Sequence, residues 1–311
     1  MYPHSPGIAA KKKLWQESSM TLEWNRRASE IDASVNFIAK TKDGGALEAR
    51  FVQRRSEYFI AYLSSQTGCN QSCRFCHLTQ LREVSMGQAT IEEYHAQFAR
   101  VLAHYDSLDT PVERMNVNMM ARGEPLLNPN FCNDFDRFIA PIRAAAEQRG
   151  INHRINVSSI FPVGARNVDL VKSFAGHPVT FYWSLYSLRP SFRRRWLPKA
   201  DAPKTTLPRL RAWQEATGRD VVIHHALISG ENDRLCDHIA LRNFLRNSSL
   251  KTRLNLVRYN SFGPRTGREA SDAAYAQALE VLGEDMPLSG SKIVPRVGRD
   301  VAASCGMFLT A

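Results

Sequence analysis

The chain has no apolar run near the roughly 18 residues that a membrane-spanning helix needs. Its first residues, Met1 to Gly7 and then Lys11 to Lys13, lack the apolar region of a secretory signal. Only six of its 311 residues are cysteine, which argues against a disulfide framework in a chain of this length. These absences predict a cytoplasmic protein with no membrane partner.

Acidic residues are also scarce. Thirty Asp and Glu stand against 41 Lys and Arg, giving a formal net charge of +11 and a pI of about 9.6. This balance favours a polyanionic partner, usually nucleic acid, although a solvated basic face gives the same composition. The candidate phosphate contacts are Arg189, Arg193, Arg194, Arg195 and Lys199 around Trp196, together with Arg54, Arg55 and the N-terminal lysines.

Three of the six cysteines lie within eight residues, as Cys69, Cys73 and Cys76 in a C-x3-C-x2-C spacing. A [4Fe-4S] cluster normally takes four thiolates, so three leave one iron free to bind another molecule. Zinc on these cysteines and His77 is the alternative. Directly adjacent ligands suit a tetrahedral site poorly, and no second C-x2-C pair follows. The spacing therefore favours a catalytic iron-sulfur cluster.

After a polar stretch to about residue 32, strand and helix patterns alternate. From residue 58 the alternation repeats about six times, which predicts an α/β fold with a partial (β/α)6 TIM-like barrel. The cysteine loop directly follows a strand, where such barrels carry their chemistry. Predicted strands are 34–39, 47–53, 58–64, 114–120, 153–158, 179–186, 220–228, 252–259 and 291–296; predicted helices are 90–105, 131–148, 166–175, 204–217, 234–247 and 270–283.

Several segments, in order, resemble one family. They are Ser64 to Cys69, Ala121 to Asn128 with its Gly-Glu-Pro, Ser184-Leu185-Tyr186, Arg193, Pro198, Glu231 to Asp233, and Gly298 to Gly306. Together they resemble the RlmN/Cfr family of radical S-adenosylmethionine (SAM) RNA adenine methyltransferases. The resemblance implies a [4Fe-4S] cluster on the three cysteines, SAM on its open iron, and a flavodoxin or ferredoxin as electron donor.

The resemblance also implies a set of SAM contacts. A carboxylate at Glu124 can accept hydrogen bonds from the SAM ammonium, and Gly123 lets the backbone approach the ligand. The remaining matches are Ser158, Ser184 and Asn232, while Tyr186 replaces the histidine of the family's S-L-H segment. Turn or capping roles are the alternative for Ser158 and Asn232.

Cys305 matches the family cysteine that is methylated by one SAM and then adds its carbon to an sp2 carbon of adenine. Glu48, in Glu48-Ala49-Arg50-Phe51, matches the proposed proton acceptor, with a surface strand glutamate as the alternative. The family releases its adduct with a second cysteine, whose position here is Tyr62. A phenol is a weaker acid than a thiol, so Tyr62 is expected to replace it poorly.

Two segments are expected: a short N-terminal extension, 1–45, and a radical SAM core, 46–311, that ends with the Cys305 segment. The extension is shorter than the family's RNA-binding accessory domain, so the alternatives to ribosomal or transfer RNA as substrate are a smaller nucleic acid, a nucleotide or an unrelated molecule. Two rival functions stay open: a radical SAM enzyme that acts on a small molecule or peptide, and a non-catalytic nucleic-acid-binding protein with a structural metal. Cys132 and Cys236 lie in helix patterns and are interpreted as structural.

Overall fold

The computed structural model describes residues 22–85, 87–283 and 291–310. Within these ranges, ten strands form one sheet whose spatial order follows the chain order. They are β1 Asn25–Ala28, β2 Val35–Lys40, β3 Ala46–Arg55, β4 Tyr58–Leu63, β5 Arg114–Met119, β6 Asn152–Ser159, β7 Val179–Trp183, β8 Val221–Ala226, β9 Thr252–Val257 and β10 Lys292–Val294.

The sheet changes from antiparallel to parallel pairing at β4. Strands β1 to β4 pair antiparallel, whereas every pair from β4–β5 to β9–β10 is parallel. Helices lie in each of the crossovers that join the parallel strands. This arrangement confirms the predicted α/β class and the partial (β/α)6 barrel, with β10 as a further parallel strand at its edge.

Strands β1 and β2 extend this same sheet before residue 45. The expected boundary between an extension, 1–45, and a core, 46–311, falls in the turn that joins β2 to β3. Strand β1 lies in the polar stretch before residue 32, where the sequence predicted no strand. All four of its residues are exposed, so it shows none of the apolar alternation that identifies a strand.

The helices lie outside the sheet. The predicted helix at 131–148 is divided at Asp134, the predicted helix at 166–175 is shortened, and two short helices were not predicted. Helix bounds are α1 His77–Leu81, α2 Ile91–Asp106, α3 Pro129–Asn133, α4 Phe135–Arg149, α5 Leu170–Phe174, α6 Pro190–Trp196, α7 Pro203–Thr217, α8 Leu235–Arg246 and α9 Asp272–Gly283. Of the described helices, none is both long and apolar enough to cross a bilayer.

Strand residues alternate between the helix side and the barrel interior. On β5, Met115, Val117 and Met119 belong to the main hydrophobic core, while Asn116 and Asn118 line a cavity inside the barrel. The interior is therefore polar, in contrast to the packed apolar centre of many barrels. We call this interior cavity the lumen.

Candidate active site

The cysteine loop follows β4, at the carboxyl end of the parallel strands. Cys69 donates its backbone N–H to the carbonyl of Glu83 at 3.0 Å, and Cys76 is the N-cap of α1. Between the first two cysteines, Ser72 has a φ of 58°, in the left-handed region that tight loops use. The chain thereby brings Cys69, Cys73 and Cys76 to the wall of one cavity, which we call the cysteine cavity.

Burial makes these thiols difficult to ionise by themselves. It raises the pKa of Cys69 to about 11 and the pKa of Cys76 to about 12. The pKa of Cys73 is also well above its usual value, first through burial and then through repulsion by the other two thiolates. Holding all three as thiolates requires nearby positive charge. The donor set therefore fits an iron-sulfur cluster, whose iron supplies that charge.

A single zinc ion fits the same residues less well. Across the parts of the chain that the structure describes, no three Cys, His, Asp or Glu side chains are grouped to hold one ion. A cubane cluster has a different requirement, because each thiolate binds a separate iron. His77, the fourth ligand in the zinc alternative, has its Nε2 3.1 Å from the carbonyl oxygen of Asn260.

Glu124 faces the cysteine cavity from the loop after β5. Its carboxylate accepts hydrogen bonds from the backbone N–H groups of Leu126 at 3.3 Å and Ile160 at 3.2 Å. Burial raises the pKa of Glu124 to about 7. A cation bound beside it would favour the ionised form, so the site fits the SAM ammonium.

Gly123 has a structural reason to be glycine. Its φ is +93°, and a Cβ there would lie 2.6 Å from Oγ of Ser65 and 2.7 Å from the backbone N of Gln66. Gly123 also lines the cysteine cavity, as the sequence predicted. The missing side chain allows the loop after β5 to pack against the chain leading to Cys69.

Hydroxyl groups also line the cysteine cavity. Oγ of Ser158 lies 3.4 Å from both Oγ of Ser184 and Nδ1 of His224. Tyr186 packs edge-on against Phe75 with ring centroids 4.7 Å apart. Burial raises the pKa of Tyr186 well above its usual value, so it remains a phenol able to donate a hydrogen bond.

Asn232 does not line the cysteine cavity. Its Oδ1 accepts from the backbone N–H of Ile228 at 2.7 Å, and its Nδ2 donates to the carbonyls of Tyr186 at 2.8 Å and Ala226 at 2.9 Å. The observed contacts are thus those of a residue that positions the backbone of Tyr186. A direct contact of Asn232 with SAM stays a prediction.

Cys305 lies where the cysteine cavity meets the lumen, because it lines both. Its side chain is exposed to this enclosed space. Burial raises the pKa of its thiol, and Arg50 and Arg54 lower it. The carbonyl of Cys305 accepts from Nδ2 of Asn260 at 2.9 Å, while the next carbonyl, of Gly306, accepts from the backbone of the cysteine loop at 2.9 Å.

Glu48 is completely buried on β3 and is not a surface strand residue. Its carboxylate accepts from Nη2 of Arg50 at 2.5 Å and from Nε of Arg122 at 3.0 Å. It also accepts from the backbone N–H of Leu309 at 3.0 Å. Arg50 completes the connection by donating to the carbonyl of Met307 at 2.7 Å. Glu48 therefore fastens the segment after Cys305 to the barrel, and its role as proton acceptor stays a prediction.

Glu48→Gln is expected to cost about 3–5 kcal/mol in free energy of unfolding, because it leaves two buried arginines without their carboxylate. Urea denaturation measures this cost, with the exposed Glu57→Gln as the control. If Glu48 acted only as a proton acceptor, the Glu48→Gln variant would lose turnover but unfold at the same urea concentration as wild type.

Tyr62 and His224 face the lumen. The hydroxyl of Tyr62 accepts from Nη2 of Arg54 at 3.2 Å, so the phenol occurs beside a cation in the lumen that Cys305 also lines. Sequence reasoning missed His224, which lines both cavities. Burial lowers the pKa of His224 to about 4, with smaller effects of Arg54 and His225. The only sequence signal was a histidine pair inside a predicted strand.

The basic cluster around Trp196 is largely structural. Trp196 is fully buried. Arg189 pairs with Asp237 at 2.8 Å, and Arg195 pairs with Glu231 at 2.7 Å. Arg193 is buried as well and donates to backbone carbonyls. Arg189, Arg193 and Arg195 are therefore already engaged in contacts within the protein, while phosphate binding by this cluster stays a prediction.

Cys132 and Cys236 lie outside both cavities. Cys132 is buried, and its Sγ is 3.7 Å from the carbonyls of Pro125 and Leu126. Cys236 is exposed on α8. Neither is placed to contribute to the chemistry of the cysteine cavity.

Comparison with known proteins identifies the superfamily of this chain. A family model described as the radical SAM superfamily matches residues 63–241, more than half of the chain. A probable dual-specificity RNA methyltransferase RlmN of Thermosipho melanesiensis is 27% identical over 287 residues, covering 90% of this chain and 77% of that relative. Its counterpart in Porphyromonas gingivalis is 27% identical over 293 residues, covering 93% and 79%.

The fold also matches a solved structure, a radical SAM methyltransferase from Sphaerobacter thermophilus. The TM-score is 0.76 at 20% identity, over 97% of this chain and 85% of that one. These relatives confirm the prediction of a radical SAM methyltransferase. The chain belongs to the radical SAM superfamily and resembles its RlmN methyltransferases along most of its length.

Proposed function

We propose that this protein is a cytoplasmic enzyme that methylates an sp2 carbon, with adenine in RNA as the acceptor and Cys305 as the carrier of the methyl group. The observation that carries the proposal is the position of Cys305 between the cysteine cavity and the lumen. A thiol there faces the predicted cofactor site on one side and a space for an acceptor on the other.

Cys69, Cys73 and Cys76 would hold the [4Fe-4S] cluster, and Glu124 would accept hydrogen bonds from the SAM ammonium. Once bound, the cluster and SAM supply a 5′-deoxyadenosyl radical, and a flavodoxin or ferredoxin supplies the electron. Ser158 and Ser184 offer hydroxyl groups along the same wall. Tyr186 offers its phenol where the family has a histidine.

A second candidate keeps the radical chemistry but acts on a small molecule or peptide. Tyr62 supports it, since the thiol that the family uses to release its product is replaced by a phenol paired with Arg54. Among the described cysteines, only the three of the loop and Cys305 line the two cavities. The product of this candidate would not be a methylated nucleoside.

The test uses SAM with a deuterated methyl group. Protein reconstituted with iron and sulfide is incubated with unmodified RNA, and the digested nucleosides are analysed by mass spectrometry. We expect a methyladenosine that carries deuterium. Formation of 5′-deoxyadenosine without any labelled nucleoside would instead select the small-molecule or peptide candidate.

A further inference from the structure

The lumen has a volume of about 400 Å³, within the range of pockets that bind small molecules. It begins beside Cys305 and His224 and runs along the inward faces of the strands to their amino ends. No Asp or Glu is among the described residues that line it. A cavity rich in cations and without lining acids is suited to an anion.

Three strands share one pattern that places an arginine and an asparagine in the lumen. They read Arg114-Met115-Asn116 on β5, Arg154-Ile155-Asn156 on β6 and Arg253-Leu254-Asn255 on β9. In each, the middle residue is buried in the main core and the flanking residues line the lumen. The alternation of a strand therefore directs the three polar pairs inward together.

These arginines belong to a group of six that we call the lumen cations. Each comes from the end of its strand that lies away from the cysteine loop, because β3 runs antiparallel to β4 and the other strands run parallel to it. Arg55, Arg154 and Lys292 are exposed and thus mark an opening to solvent. The lumen cations are Arg54, Arg55, Arg114, Arg154, Arg253 and Lys292. Three further arginines line the lumen but are not counted with them, because each is paired with a carboxylate: Arg50, Arg258 and Arg296.

The lumen cations are poorly neutralised. Within the described ranges, the only carboxylate paired with any of them is Asp220, 3.2 Å from Arg253. Nε of Arg54 and Nε of Arg114 are buried without a hydrogen-bond partner. Burial and then repulsion by Arg54 and other lumen cations lower the pKa of Lys292. A bound anion would relieve this repulsion and satisfy the free donors.

The middle of the lumen offers a different chemistry. Nδ2 of Asn156 donates to Oδ1 of Asn118 at 2.7 Å, and Tyr62 and Tyr182 add aromatic rings and phenols. Amide groups can pair with the edge of a nucleobase, and aromatic rings can stack on its face. Arg154 lines the lumen, and Ser158, four residues along the same strand, lines the cysteine cavity. At about 3.3 Å per residue, the strand covers roughly 13 Å between the cation end and the cysteine cavity.

We propose that the lumen binds one nucleotide, with its phosphate on the lumen cations and its base towards Cys305. This inference rests on the proposed function, which it deepens by naming a phosphate-bearing nucleotide as the group recognised. The source is either a free mononucleotide or one nucleotide of an RNA chain. Both present the same chemistry to the lumen, and binding experiments distinguish them.

The experiment measures equilibrium binding of 5′-AMP, adenosine and an adenine-containing oligoribonucleotide to the full chain. We expect 5′-AMP to bind at least about tenfold more tightly than adenosine, the value of one charge-assisted contact. The double variant Arg154→Gln with Lys292→Gln should abolish that difference and leave adenosine binding unchanged. Arg211→Gln, exposed on α7, is the matched control and should bind as wild type does.

RNA would be identified as the source of the nucleotide if the oligoribonucleotide binds, 5′-AMP does not bind more tightly than adenosine, and the double variant weakens oligoribonucleotide binding at least tenfold. Equal affinity for 5′-AMP and adenosine, with oligoribonucleotide binding insensitive to the double variant, would overturn the proposal. Because the variant removes repelling charges, its thermal unfolding temperature should be equal to or higher than that of wild type, which separates lost binding from lost folding. The measurement needs no SAM turnover, so its failure is distinct from failure of the proposed methyl transfer.

Discussion

Replacing Cys73 with alanine is expected to remove the iron-sulfur cluster and all SAM cleavage. Cys73 is the most buried of the three loop cysteines, and it lines the cysteine cavity together with the other two. Two thiolates cannot replace three in holding a cubane that already has one open iron. Iron per reconstituted chain should fall from about four to well below one, and 5′-deoxyadenosine production should fall at least about 10³-fold.

Cys132→Ala is the matched control. Cys132 is also buried, but it lies on α3 in the main hydrophobic core and outside both cavities. It should retain iron and SAM cleavage even if some stability is lost. A Cys73→Ala protein that keeps four irons and wild-type cleavage would show that the cluster is held elsewhere.

Replacing Cys305 with alanine should separate the two halves of the reaction. The substitution removes the proposed methyl carrier, while the cluster cysteines and Glu124 are unchanged. We therefore expect methylated product to fall below detection and SAM cleavage to remain within about tenfold of wild type. Product is measured by nucleoside mass spectrometry, and cleavage by 5′-deoxyadenosine formation under reducing conditions.

Cys236→Ala tests whether the loss is specific to Cys305, since both thiols are exposed to solvent or to a cavity. Cys236 lies on α8 and should be dispensable for product formation. Methylated product from the Cys305→Ala variant at the wild-type rate would contradict the assigned role. The methyl group would then have to reach the acceptor directly or through another residue.

The features most accurately predicted from sequence were those with short-range signals. The cysteine spacing located the loop that lines the cysteine cavity, and alternating apolar segments located β2 to β10 to within a few residues. The antiparallel strand β1 was missed because its four residues are exposed. The contacts of Arg189 and Arg195 were not predicted, since sequence alone does not reveal that they pair with acids more than 30 residues away.

The candidate site depended on contacts that no local pattern encodes. Sequence left open that Glu48 is a surface strand residue, yet it is buried and joins Arg50 and Arg122 to the far end of the chain. Asn232 looked like a ligand contact, yet its amide bonds to backbone groups. The repeated arginine-x-asparagine pattern was visible in the sequence, but its meaning required the inward direction of the strand faces.

The most direct test of the whole account is the mass of the peptide that contains Cys305. The protein is isolated without oxygen, reconstituted with iron and sulfide, and incubated with SAM and a chemical reductant before proteolysis. The account predicts one added methyl group on Cys305 and none on Cys132 or Cys236. An unmodified Cys305 in protein that still produces 5′-deoxyadenosine would contradict the methyl-carrier role and point to a different radical reaction.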